Sequence, residues 1–122
     1  MANVVTNVGL GLVTAAMVAS TNKYVAWGTG TTGAAVGDTA LETESAEDRT
    51  TGTQSQQETN SANDTYRVVG TITATDTRAI TEAGVLSADD AGSLLGRAVF
   101  SAVNLVTGDS IAFTNNFVFD QA

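Results

Sequence analysis

A mainly β chain, folded as an antiparallel β-sandwich of jelly-roll type behind an N-terminal arm and short helix, is what this sequence predicts. Three observations carry that reading. From about residue 65 onwards, apolar and polar side chains alternate with period two. The patterned segments are joined by short polar turns, which suit antiparallel neighbours rather than βαβ crossovers. Thr and Val are frequent in them, and branching at Cβ favours the pleated backbone. Strands that run this close to residue 122 leave room for a single domain, with the arm and helix over 1–23 and the sandwich over 24–122.

At the N-terminus, Val8, Leu12, Ala15, Ala16 and Ala19 recur at spacings of three and four, which predicts one apolar helical face from about Val8 to Ala19. The β-branched Val4, Val5, Val8 and Val13 favour an extended arm ahead of a shorter helix. Tyr24 to Trp27 reads as a short strand closed by the loop Gly28-Thr29-Gly30-Thr31-Thr32-Gly33. Thr39 and Glu42 have capping-box spacing, so a helical turn is expected over Asp38 to Ala46. Arg49 to Asp64 holds no large apolar side chain and is read as a mobile surface loop or a polar edge hairpin.

Tyr66, Val68, Gly70, Ile72 and Ala74 share one strand face, with Arg67, Val69, Thr71, Thr73 and Thr75 on the other. Ala79 to Leu86 is a further strand, followed by turn residues Ser87 to Ser93. Leu94 to Val106 carries bulk on both faces and reads as a central strand. After the turn Thr107-Gly108-Asp109-Ser110, Ile111, Phe113, Phe117 and Phe119 alternate with smaller or polar residues, and Asn115 interrupts the inward face.

Composition narrows the chemistry. The chain has no His, Cys or Pro, so Cys/His zinc sites, Ser-His or Cys-His nucleophile pairs and disulfide frameworks are excluded. No enzyme activity and no cofactor are expected. Thirteen acidic against five basic residues leave a net charge of −8, which repels phosphate backbones and anionic lipid, so neither nucleic acid nor membrane is an expected partner. The uncharged run Val4 to Thr21 lacks a basic segment before it and is broken by Gly and Thr, so it is read as neither leader nor span. With 6% aromatic residues and no disulfide, burial against neighbouring subunits is the expected extra source of stability.

The local motifs favour structural readings. Gly28, Gly30 and Gly33 fit G-x-G-x-x-G, but no helix starts inside the motif as a phosphate site requires; loop glycines tolerating positive φ explain them. Glu42, Glu44, Glu47 and Asp48 are read as a solvated helix face, and Asp89-Asp90 as a solvated turn. Neither has the ligand alternation of a calcium loop. Asn63-Asp64-Thr65 meets the glycosylation sequon, read as chance. Arg97 lies within an apolar strand and needs a partner, local or on an adjoining subunit. Together with Val4, Val5 and Val8 of the uncharged arm, which can add a strand to a neighbour, Arg97 is a candidate intersubunit contact.

Ile80-Thr81-Glu82-Ala83-Gly84-Val85-Leu86, Leu94-Leu95-Gly96-Arg97-Ala98-Val99-Phe100, the turn Thr107 to Ser110 and the closing aromatic strand resemble small β-structured virion proteins of tailed bacteriophages. Trp27 to Thr31, Thr39-Ala40-Leu41 and Arg49 look like the first half of the same pattern, so the resemblance covers roughly Tyr24 to Phe119. It implies a capsid decoration, or cement, protein: a homotrimer on the outer capsid surface that bridges capsomers and has the major capsid protein as partner. The alternative it implies is a tail-fibre or collar appendage, or a receptor-adhesion module of the tail.

Overall fold

Alternation decides which side of each late strand enters the core, and the computed structural model, which describes residues 1–120, follows it closely. Tyr66, Val68, Gly70, Ile72 and Ala74 are all buried, while Thr71, Thr73 and Thr75 are exposed. Among the described residues the elements are one helix, α1 (Asn7–Ala19), and seven strands: β1 (Tyr24–Gly28), β2 (Thr50–Thr51), β3 (Thr53–Gln57), β4 (Thr65–Thr73), β5 (Arg78–Leu86), β6 (Leu94–Leu105) and β7 (Ser110–Val118). The strands form a four-stranded sheet in the order β2-β1-β5-β6 and a three-stranded sheet in the order β3-β4-β7, with every pairing antiparallel.

The two sheets form a β-sandwich. Val25, Trp27, Ile80 and Val85 of the first sheet meet Tyr66, Val68 and Ile72 of the second in one core. β4 to β7 behave as a long hairpin bent in the middle: β5 and β6 pair in one sheet, β4 and β7 in the other, and the chain crosses between sheets at 74–77 and 106–109. The opposite side is closed by Gly52, which links β2 to β3 across the sheets. A Cβ there would lie 2.2 Å from Val68 Cγ1, so the corner accepts only glycine.

A third layer covers the outside of the four-stranded sheet. β1 is buried on both faces, because residues 29–49 fold back over it and seat Leu41 against Ala26 and Leu86 in a small second core. α1 lies on β3 and β4, capped by Thr6, whose Oγ1 accepts from Gly9 N–H at 3.0 Å. Its inner side is partly polar: Thr14 Oγ1 donates to the Asn63 carbonyl at 2.7 Å and accepts from Gln56 Nε2 at 2.8 Å.

Two expectations are corrected and a third is decided between its alternatives. The helical turn over Asp38 to Ala46 does not form. The Glu42 carboxylate, instead of reaching back to Thr39, accepts from the Thr31 and Thr32 N–H groups, and Glu44 bridges to Gly28 in extended backbone. The polar stretch after Arg49 takes the second of its two alternatives, a polar edge hairpin, with β3 at the sheet edge paired to β4, and it also supplies the short β2. β6, expected to be central, is an edge strand, and most of its side chains are exposed or half-buried. Bulk on both faces there reflects incomplete covering of each face, not burial between two neighbours.

Candidate functional site

Buried carboxylates enter the fold at three places, and each holds a loop or turn. Glu82 has alternate neighbours Gly84 and Leu86 in an apolar strand, so it points out of the core into the layer formed by residues 29–49, where it is fully buried. Its carboxylate accepts from the Glu42 N–H at 3.1 Å, the Thr43 N–H at 2.9 Å and Arg97 Nε at 2.9 Å. Arg97 then spans the loop, donating to Asp38 at 3.1 Å and to the Thr32 carbonyl at 2.8 Å. Gly28 and Gly30 are part of this arrangement. Neither has positive φ; a Cβ on Gly28 would lie 2.2 Å from the Thr43 carbonyl oxygen, and one on Gly30 2.4 Å from the Glu82 carboxylate. Their role is close approach rather than the turn freedom that the sequence suggested.

Glu47 anchors the second place. It accepts from Trp27 Nε1 at 2.9 Å, from Thr75 Oγ1 at 2.8 Å and from Arg78 Nε at 3.0 Å. Burial pushes its carboxyl up, but the hydrogen bonds from Thr75, Trp27 and Arg78 outweigh that and hold it at about 2. Asp64 is set the same way. Desolvation is overcome by the N–H groups of Ser61, Asn60 and Thr59, with the Thr65 hydroxyl adding to them, and its carboxyl is lowered to about 2 while it closes the turn into β4. The acidic cluster read as a solvated helix face is therefore divided: Glu47 is buried, Glu42 clamps backbone, and Glu44 pairs with Arg49 at 2.8 Å. Asp89 and Asp90 are exposed, as expected of a solvated turn.

The outer surface has the opposite character. β6 and β7 are the unpaired edges of the two sheets on the same side of the sandwich. β7 carries no charge, and the one charged side chain of β6, Arg97, is turned into the loop layer. Native edges are usually guarded by Lys, Pro or short length, whereas β6 runs for 12 residues. Phe100, Phe113 and Phe117 border the core here but stay half-buried. Between the strands lies an open groove of about 560 Å³ lined by Leu95, Gly96, Ala98, Thr114, Asn116 and Phe117.

Of the candidate contact residues, Val4 and Val8 are exposed at 85% and 78%, and Val5 is half-exposed. Arg97 lies apart from them and pairs within its own chain, the local alternative of the two that its setting allowed. The apolar stripe predicted for α1 is present but faces outward: Val8 and Leu12 are exposed, and Leu10, Thr14, Met17 and Val18 turn inward. Glu82 was not singled out by sequence reasoning, and Glu47 was grouped with a solvated acidic cluster rather than read as buried. A signal existed for Glu82, a lone carboxylate in an apolar strand matching the lone Arg97 of the next one; none existed for Glu47. Comparison with family models, curated proteins and solved structures finds no match to this chain.

Proposed function

We propose that this protein is a structural virion subunit, a capsid decoration (cement) protein that strengthens a phage head by burying surface across joints between capsomers. The observation that carries the reading is the open side of the sandwich. Two long edge strands, whose single charge, Arg97, is taken up by the loop layer, flank a row of half-buried phenylalanines, a surface suited to strand addition and apolar burial against another protein. The chain's buried carboxylates support it, since each is engaged in clamping a loop and the body they stiffen is a rigid binding block. The major capsid protein is the partner this reading assigns, and the outer capsid surface its place. A trimeric state and a full jelly-roll wrap belong to the same proposal, and the bent hairpin β4 to β7 supports the wrap.

The test is sedimentation of the purified protein with undecorated heads. Saturable binding in a fixed ratio to coat protein supports the reading. Absence from heads with binding to isolated tails or to host cells replaces it with the appendage reading.

A further inference from the structure

The two sheets are unequal, four strands against three, and Gly52 closes the side of β2 and β3, so the mismatch falls at the groove between β6 and β7. Which backbone groups of β7 point there follows from its ladder. Phe119 N–H donates to the Asp64 carbonyl at 2.9 Å and Ala74 N–H to the Asp109 carbonyl at 2.7 Å, which marks both as hydrogen-bonded pairs. The register between them is unbroken, and such pairs alternate along an antiparallel ladder. Ile111, Phe113, Asn115 and Phe117 therefore bond to β4, while Ala112, Thr114, Asn116 and Val118 turn their N–H and C=O groups outwards. That edge is free, and the same four side chains are exposed.

The arginines add a second, independent observation. Arg49, Arg78 and Arg97 each pair with a carboxylate. Arg67 pairs with none among the described residues; its Nε donates at 2.8 Å to Oδ1 of Asn116, directly opposite on β7. In a chain of net charge −8, this guanidinium is held against a neutral amide at the free edge.

We propose that β7 takes an extended segment of another protein as an eighth strand, with apolar side chains facing inwards and an Asp or Glu beside Asn116, paired to Arg67. Backbone pairing supplies the affinity and alternate side chains the selectivity. The inward residues enter the groove of about 560 Å³ against Leu95, Ala98 and Phe117. The outward residue lies ~4.8 Å beyond Asn116, in reach of a guanidinium already placed there. Charge selects the source: the chain's own arm, Met1 to Thr6, carries no acid to meet Arg67, so a copy of this protein is the poorer donor. That the segment belongs to the capsid protein rests on the cement reading; the strand itself does not. One ion pair covered by a strand adds little salt dependence.

Two probes test it, undecorated heads and a nine-residue peptide matched in length to β7, Thr-Val-Thr-Val-Glu-Val-Thr-Val-Thr. With the peptide, amide hydrogen exchange of the full chain should slow at Ala112, Thr114, Asn116 and Val118. Lysine in place of the peptide's glutamate should weaken binding by about tenfold, although the chain's net charge favours the lysine form. Arg67→Glu should abolish that preference. Thr114→Pro removes an outward N–H at an edge position that tolerates proline. It should keep the wild-type urea midpoint and weaken binding of both probes by about tenfold or more, whereas Thr114→Val binds as wild type does. Heads bound equally by wild type and Thr114→Pro overturn the strand and leave the cement reading standing. Failure of wild type to bind heads removes the cement reading alone, and the peptide then decides: unprotected amides overturn the strand. Protection of those amides without a probe, rising with protein concentration, overturns it in favour of a second copy.

Discussion

Glu82 and Arg97 show how two charges are kept inside a chain with a modest core. Arg97 is held by three acceptors in different directions, Glu82, Asp38 and the Thr32 carbonyl, a fork that a lysine ammonium cannot reproduce. Arg97→Ala strands the buried Glu82 carboxylate and is expected to cost ~3–5 kcal/mol in urea unfolding. Arg97→Lys should recover little of it, and a loss within ±0.5 kcal/mol would mean that the loop clamp does not depend on the pair. Glu47 and Asp64 set the acid limit. Both carboxyls sit below their ordinary values in the folded chain, so between those values and about 2 the unfolded state binds more protons. Their stabilisation is complete above about pH 4.5 and drains away as pH falls towards about 2. The urea midpoint should fall across that window, and Glu47→Gln should lower the plateau and flatten the slope. At this scale the sequence was only partly legible. Arg97 announced itself by lying in an apolar strand, but the partners of Glu47 are Trp27, Thr75 and Arg78, twenty or more residues away, and no local pattern joins them.

Among the elements, the edge strands are the ones that separate folding from assembly. Gly96 faces Phe117 across the groove, and a Cβ there would lie 2.4 Å from the ring. Gly96→Ala should therefore displace the ring and cost ~1–3 kcal/mol in thermal unfolding. Val103→Lys, on an exposed position of β6, should leave the stability of the isolated chain within ±0.5 kcal/mol while reducing binding to heads. Equal binding by that variant would remove the open β6 edge from the docking surface. The strands from β4 onwards were readable because period-two alternation is a local property. The helical turn over Asp38 to Ala46 was misread because its signal, Thr39 with Glu42, competes with a stronger tertiary partner: the Glu42 and Thr43 N–H groups go to Glu82. A capping box is worth little when a buried carboxylate offers the same donors a better acceptor.

The whole molecule divides its surfaces by charge. Acidic residues 38–48 and 89–90 lie on the loop layer and hairpin tip, whereas α1 and the β6 and β7 edges present almost none. Such a body can meet a second protein through its open edges without bringing its acidic loops into the contact, so binding to heads should be nearly independent of ionic strength. A steep fall in binding with added salt would place the acidic loops in the docking surface.

Periodicity and turn chemistry sufficed to read an antiparallel sandwich behind an N-terminal helix, and the lack of His and Cys to read that this sequence holds no Cys/His site. These are properties of neighbours along the chain, and their spacing is written in it. Tertiary structure alone decided that β6 lies at an edge, that the apolar stripe of α1 faces solvent, and that Glu47 and Glu82 are buried. Each depends on which distant segment covers a face. An apolar residue signals that a face wants covering, but whether this chain or another supplies the cover is settled only when all the surfaces compete for the same core.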